Sequence, residues 1–239
     1  MGYGHLRAAR AIADLLGRQV LRADIAPIAD PEEQRLWQAA RRIYEVTSRT
    51  SQIPGLLGAP LRALLDGITS IPPLHPYRDL STPNWGARSL DRLIRRGLGR
   101  GLAAHLAATG ESLVTTFFSI AIAAAAHGAR DVYCVATDTD LARSWAPLEP
   151  RASNITYLVP TRRARKRLLA YGVPRERIEV TGFPLPPELV GGPELPTLAQ
   201  NLGARLIRLD LKGVFREQLG GDIQRFLGEL PQAPMRPPL

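Results

Sequence analysis

Cysteine is nearly absent from these 239 residues, Cys134 being the only one. A lone cysteine excludes an internal disulfide framework and a cysteine-based zinc site. It stands in the apolar run Val132–Ala136, which favours a buried, inert thiol over a nucleophile. Lysine is scarce too: Lys166 and Lys212 are the only two, so nearly all the basic charge is arginine. No apolar run approaches the roughly 20 residues of a membrane-spanning helix, and the longest candidate, Phe117–Ala126, is short and rich in alanine. No basic stretch followed by an apolar one opens the chain, so no signal peptide is expected and a cytoplasmic location follows. His-x-x-x-His, Cys-x-x-Cys, Gly-x-Ser-x-Gly and Walker-type loops are all missing. Zinc-peptidase, deaminase, serine-hydrolase and P-loop chemistry are left without support.

The residues that are present allow a substantial core. Apolar types make up 45% of the chain, enough for one large or two small domains. The net charge of +9 and pI near 10.5 invite a nucleic-acid or anionic-membrane partner. The skew to arginine is equally what coding bias leaves on solvated faces, and no specific nucleic-acid partner is expected.

The most chemically loaded stretch is Met1-Gly2-Tyr3-Gly4-His5-Leu6-Arg7-Ala8-Ala9. Leu6, Ala9, Ile12, Ala13 and Leu16 recur at helical spacing, which starts a helix near His5. A Gly-x-Gly turn entering a helix turns backbone N–H groups and the positive helix end toward a ligand. Such turns normally follow a buried strand, and here the chain begins at the turn, so a sheet lacking its first strand is expected. Gln19–Ile25 reads as a strand. Asp24 falls where a dinucleotide fold keeps its ribose-binding acid, but Arg7 occupies the third-glycine position, which argues against a nicotinamide site.

Pro31–Ser48 reads as a helix capped by Asp30, with Glu32 and Glu33 in its first turn. Pro54–Ile71 is an amphipathic, glycine-punctuated pattern, read as packing on the core rather than on a membrane. Pro72–Trp85 is a proline-rich loop, and Ala87–Thr109 a single, strongly basic helix. Strands are expected at Ser112–Thr116, Val132–Thr137, Asn154–Val159 and Ile178–Thr181, with helices at Phe118–His127 and Thr161–Tyr171. That alternation predicts an α/β domain with a mostly parallel, Rossmann-like sheet over residues 1–190. Residues 191–239 read as a linker segment: helices at Leu195–Leu202 and Arg216–Leu230, a short strand or extended stretch at Arg205–Leu211, and a tail with four prolines in its last nine residues.

In parallel sheets ligands sit beyond the carboxyl ends of the strands. Four such places carry polar or glycine-rich chemistry: Gly4-His5, Thr115-Thr116, Asp138-Thr139-Asp140 and Gly182-Phe183-Pro184. His5 is the candidate general base, because the positive end of a helix favours the neutral, proton-accepting imidazole. Arg7 is placed to pair with an anionic group or to face solvent. Asp138 and Asp140, two apart, would point into one cleft if the chain stayed extended, to orient a histidine or sugar hydroxyls, ligate a metal weakly, or simply cap a helix. Trp145 is a stacking wall or a core residue. Thr161-Arg-Arg-Ala-Arg-Lys-Arg167, with Arg151, reads as a phosphate or anionic-lipid patch.

Gly2-Tyr3-Gly4-His5-Leu6-Arg7-Ala8-Ala9 resembles the glycine-rich, histidine-containing first loop of GT-B glycosyltransferases, in particular monogalactosyldiacylglycerol synthases, processive diacylglycerol glucosyltransferases and the lipid-II-forming N-acetylglucosaminyltransferase. Thr137-Asp138, the following Trp145, and Tyr171-Gly-Val-Pro-Arg-Glu-Arg-Ile-Glu-Val-Thr-Gly-Phe-Pro184 are similar to later motifs of that group, in the same order. The resemblance implies the acceptor-side domain of an inverting, metal-independent transferase that moves a sugar from a UDP-sugar to a lipid or other hydroxyl. His5 is then the base with Asp138 beside it, and Gly2, Gly4, Arg7 and Gly182 approach the donor diphosphate. Thr115, Thr116, Asp140, Trp145, Phe183 and Pro184 line the substrate, with no separate cofactor or metal. It also implies a peripheral location on the inner face of the membrane. The donor is held mainly by a second domain, so a truncated form is expected here. The alternatives are a sugar-nucleotide epimerase of the same architecture and a non-catalytic basic α/β protein binding anions or nucleic acid.

Overall fold

The structure, a computed structural model, describes residues 3–50, 71–75, 79–185, 196–210 and 212–229. The chain divides into two compact units, residues 1–184 and 185–239. The first holds helices α1 (Tyr3–Leu15), α2 (Pro31–Thr50), α3 (Trp85–Arg95) and α4 (Arg100–Thr109), then strand β1 (Leu113–Thr115) and helix α5 (Phe118–Ala126). It continues with β2 (Val132–Val135), β3 (Ile155–Val159), α6 (Arg162–Ala170) and β4 (Ile178–Val180). The four strands lie in the order β1-β2-β3-β4 and every pair is parallel. This is a Rossmann-like α/β fold.

The sequence explains the sheet. β3 is Ile-Thr-Tyr-Leu-Val, all strand-favouring types, and Ile155, Tyr157 and Val159 point to the fully buried face. Tyr157 donates its hydroxyl to the Trp145 carbonyl at 2.8 Å, so the one polar atom on that face is satisfied. Helix α5, rich in alanine, is buried from Ser119 to Ala124 because the sheet and other helices crowd it on several sides. Helix α6 turns Ala164 and Leu168 inward, both fully buried. Its N-cap is Thr161, whose hydroxyl accepts from the Ala164 N–H at 3.0 Å.

Three expectations fail locally. Residues 19–25 form no strand: the run is mostly irregular, with Val20, Leu21 and Ile25 exposed. Strand-like composition does not suffice where no neighbour completes a ladder. The basic helix expected over Ala87–Thr109 is two helices. The break spans Arg96–Gly99, where Gly97 and Gly99 take φ of 107° and 87°, values that end one helix and let Gly99 cap the next. In the second unit, the stretch expected to be extended from Arg205 is helical through Leu209, with Leu211 outside the described residues; helix α7 is Pro196–Leu209, followed by α8 (Val214–Gln218) and α9 (Gly220–Leu227). Residues 54–70 and the proline-rich tail lie outside the described residues, as does Gly2. Among the described residues no helix is long and apolar enough to cross a membrane.

Candidate active site

His5 sits in the first turn of α1, at the carboxyl edge of β1 and β2. Its Nδ1 lies 2.9 Å from the Thr116 carbonyl and 2.8 Å from the Thr137 hydroxyl. A carbonyl can only accept, so Nδ1 carries the proton and Nε2 of the neutral ring holds the lone pair. Thr116, only 3% exposed, returns a bond: its hydroxyl donates to the His5 carbonyl at 3.0 Å. The Phe117 ring meets the imidazole edge-on at 5.1 Å. Ring position and tautomer are thus fixed by three neighbours from two strand ends. Among the described residues Nε2 makes no hydrogen bond, and the ring is half-buried.

Neither conformation nor packing requires glycine at position 4. Its φ is not left-handed, and a Cβ there would meet nothing within 4 Å. A glycine in open space lets a ligand approach the backbone closely. Gly182 differs: its φ of 87° demands glycine for the turn leaving β4. Arg7, two residues beyond His5, is roughly 200° further round the helix and exposed, so it does not share the face of His5.

No family model, curated protein or solved structure matches this chain.

The two aspartates part company. Strand β2 ends at Val135, so the alternation that would aim both carboxylates into one cleft stops before they are reached. Asp138 is exposed beside Thr137, with no ion pair among the described residues. Asp140 instead faces α6. Its oxygens accept from Arg167 Nε at 2.8 Å and a second Arg167 nitrogen at 3.0 Å, from Arg163 Nε at 2.7 Å and from the Leu141 N–H at 3.0 Å. Burial raises its carboxyl, but the hydrogen bonds from Arg167 and Arg163 outweigh that and hold it down at about 2. Arg167 also donates to the Pro72 carbonyl, and Thr161 donates to the Thr139 carbonyl at 3.1 Å. This cluster anchors the loop that presents Thr137 and Asp138.

Trp145 is 4% exposed and packs at 5.1 Å on Phe118, in the core rather than as an open wall. Its turn is pinned by buried Arg143, which donates to the carbonyls of Ser81, Ala146 and Pro147 and lies over the Tyr171 ring. Thr115 is spent on the turn into α5, its hydroxyl accepting from the Phe117 N–H at 3.2 Å. Gly182, Phe183 and Pro184 follow β4, three strands from β1 and so about 14 Å across the sheet. Phe183 is exposed there.

The structure therefore brings together His5, Thr116 and Thr137, with Asp138 next to Thr137 in the chain and Gly4 next to His5. Thr137 is the residue that sequence pattern does not single out as a position holding His5. Its signal is faint: a hydroxyl just past a strand end, where side chains reach the carboxyl edge. A cavity of about 350 Å³ lined by Arg151, Leu169, Gly172, Val173 and Pro174 lies at the far end of α6, away from His5. Among the described residues no three His, Cys, Asp or Glu side chains gather as a metal site.

Proposed function

We propose that the chain is the acceptor-activating domain of a GT-B-type glycosyltransferase, using a UDP-sugar donor and a lipid or other hydroxyl acceptor. The observation that carries the reading is the His5 tautomer. With Nδ1–H held by Thr116 and Thr137, Nε2 is the atom available to take the acceptor's hydroxyl proton as its oxygen attacks the anomeric carbon and the nucleoside diphosphate leaves. Asp138, exposed next to Thr137, would stabilise the imidazolium formed, and the space at Gly4 would admit the diphosphate. The exposed Arg162, Lys166 and Leu169 on α6 suit an anionic lipid surface or a substrate phosphate.

The test is transfer of labelled sugar from UDP-glucose, UDP-galactose or UDP-N-acetylglucosamine to diacylglycerol in mixed micelles or to membrane lipid extracts. Because the reading puts the donor site mainly in a second domain, slow transfer is expected from this chain at high donor concentration, and His5→Ala is expected to reduce it at least about a hundredfold. Gly4→Ala should leave the fold intact, or stabilise it by about 0.5–1 kcal/mol as a helical glycine replaced by alanine, while weakening donor binding. Absence of transfer from every nucleotide sugar, or full turnover without His5, would sink the reading. Conversion of the free UDP-sugar to its epimer would replace it.

A further inference from the structure

Helix α3 presents a cationic ridge that the sugar-transfer reading does not use. We propose that it binds single-stranded nucleic acid, gripping successive phosphates and stacking a base on Trp85. Arg88, Arg92 and Arg96 recur every four residues and are all exposed. At 1.5 Å rise per residue Arg88 and Arg92 stand about 6 Å apart along one face, comparable to the distance between neighbouring phosphates of an extended strand, and Arg96 follows at the C-cap. Trp85, in the first helical position, falls within the same face and is 45% exposed. A flat aromatic surface at the head of a row of guanidiniums is the pairing that holds single strands: charge follows the backbone, and the ring takes an unpaired base.

The helix keeps this face clear of negative charge. Its one acid, Asp91, lies elsewhere on the circumference and is paired with Arg95 at 2.7 Å. Among the described residues Arg88, Arg92 and Arg96 make no side-chain hydrogen bond or ion pair. A membrane surface fits less well. Ile94 is buried and Leu90 and Leu93 are partly buried, so Trp85 is the helix's only large apolar side chain open to solvent. A duplex fits less well too, because its bases are already stacked. Recognition would be by backbone and stacking, without base-sequence readout.

The experiment is fluorescence anisotropy of a labelled short oligo(dT) with the whole chain, between about 50 and 200 mM salt. The triple variant R88Q/R92Q/R96Q is expected to flatten the plot of log affinity against log salt by about 2, at roughly 0.7 for each phosphate no longer neutralised. Trp85→Leu should lower affinity about tenfold and leave the slope unchanged. The control triple R35Q/R130Q/R175Q removes the same formal charge from three separate exposed positions and should change the slope little. All these side chains point to solvent or are half-exposed without partners, and circular dichroism checks that each variant is folded. Equal losses in the two triples would reduce the effect to net charge and overturn the proposal. So would no binding by the native chain, a duplex binding as tightly with Trp85 irrelevant, or preference for phosphatidylglycerol vesicles over the oligonucleotide.

Discussion

Gly101→Ala is expected to destabilise the first unit by at least about 4 kcal/mol, in the range reserved for steric or unpaired-polar defects of a buried core. Gly101 lies in the first turn of α4, where α4 crosses the start of α2. A Cβ there would sit inside the van der Waals envelope of the Ile28 carbonyl oxygen and 2.9 Å from Glu33 Oε2. Neither can retreat. Ile28 precedes the nearly buried Ala29, and the Glu33 carboxylate, 1% exposed, is committed to three donors: the N–H groups of Gly99 and Gly101, both at 2.8 Å, and Trp37 Nε1 at 3.1 Å. Gly99 caps α4 but has no side chain to do it with, so the capping carboxylate comes from another helix, and it meets the positive end of α4. Gly101→Ala therefore attacks packing and cap together. Glu33→Ala, which strips all three donors of their acceptor, should cost about 3 kcal/mol. The double variant should cost less than the sum, because the two changes break one assembly. Urea unfolding measures this, with the midpoint falling and the slope unchanged. A loss below about 1 kcal/mol for Gly101→Ala would mean that α2 is free to slide.

That junction is invisible in the sequence, although its parts are not. Asp30 as a cap and Glu33 in the first turn of α2 are legible, and the Asp30 carboxylate does accept from the N–H groups of Glu32 and Glu33. What no local pattern carries is that Glu33 reaches 66 and 68 residues ahead to cap another helix. The two central strands are readable because their composition and their burial agree: Val132–Val135 and Ile155–Val159 are apolar, aromatic or β-branched runs between helical patterns, whereas Ile178–Val180 buries only Ile178 and leaves Glu179 and Val180 exposed. Gln19–Ile25 also carries Val20, Leu21 and Ile25, but with Arg22 and Asp24 among them and no partner ladder, so pairing as well as propensity decides it. The break in the helix over 87–109 is hidden because glycines at 97 and 99 pass for tolerable interruptions of a helical pattern. The left-handed Gly99 is an adaptation to the Ala123 Cβ, which a Cβ on Gly99 would approach to 2.5 Å.

The candidate site follows the same division. His5 stands out from a glycine-flanked helix start, and Thr116 from a strand end. Their mutual bonds depend on a fold that places residues 111 positions apart side by side. The aspartates show the limit most clearly: equal in the sequence, they differ because the arginines of α6 claim only the second.

Asp140→Ala is accordingly expected to cost about 3–5 kcal/mol, far more than loss of an ordinary surface ion pair. The reason is the residue left behind. Arg167 is fully buried, and removing Asp140 leaves its guanidinium with the Pro72 carbonyl and the face of Tyr171 at 6.0 Å, but no counter-charge. Breaking a buried pair by deleting one partner is costly for that reason. Replacing both, as Asp140→Ala with Arg167→Met, should recover much of the loss. The same pair sets an acid limit. The folded carboxyl titrates at about 2, against about 3.9 for an unfolded aspartate. As pH falls the unfolded chain takes the proton first, so the stabilisation is whole above about pH 5 and lost by about pH 1. In Asp140→Asn the fall in stability across that window should be shallower by about 2–3 kcal/mol, which urea titrations at stepped pH would read. An unchanged pH profile would place the carboxylate's partners in solvent instead. The consequence reaches His5 through the chain. Asp140 and Thr161 tether the loop from Thr137 to Leu141, and Thr137 holds Nδ1 at 2.8 Å. In Asp140→Asn, the imidazole nitrogen resonances of His5 should therefore shift while the protein stays folded. A stability loss with His5 unmoved would confine the cluster to packing.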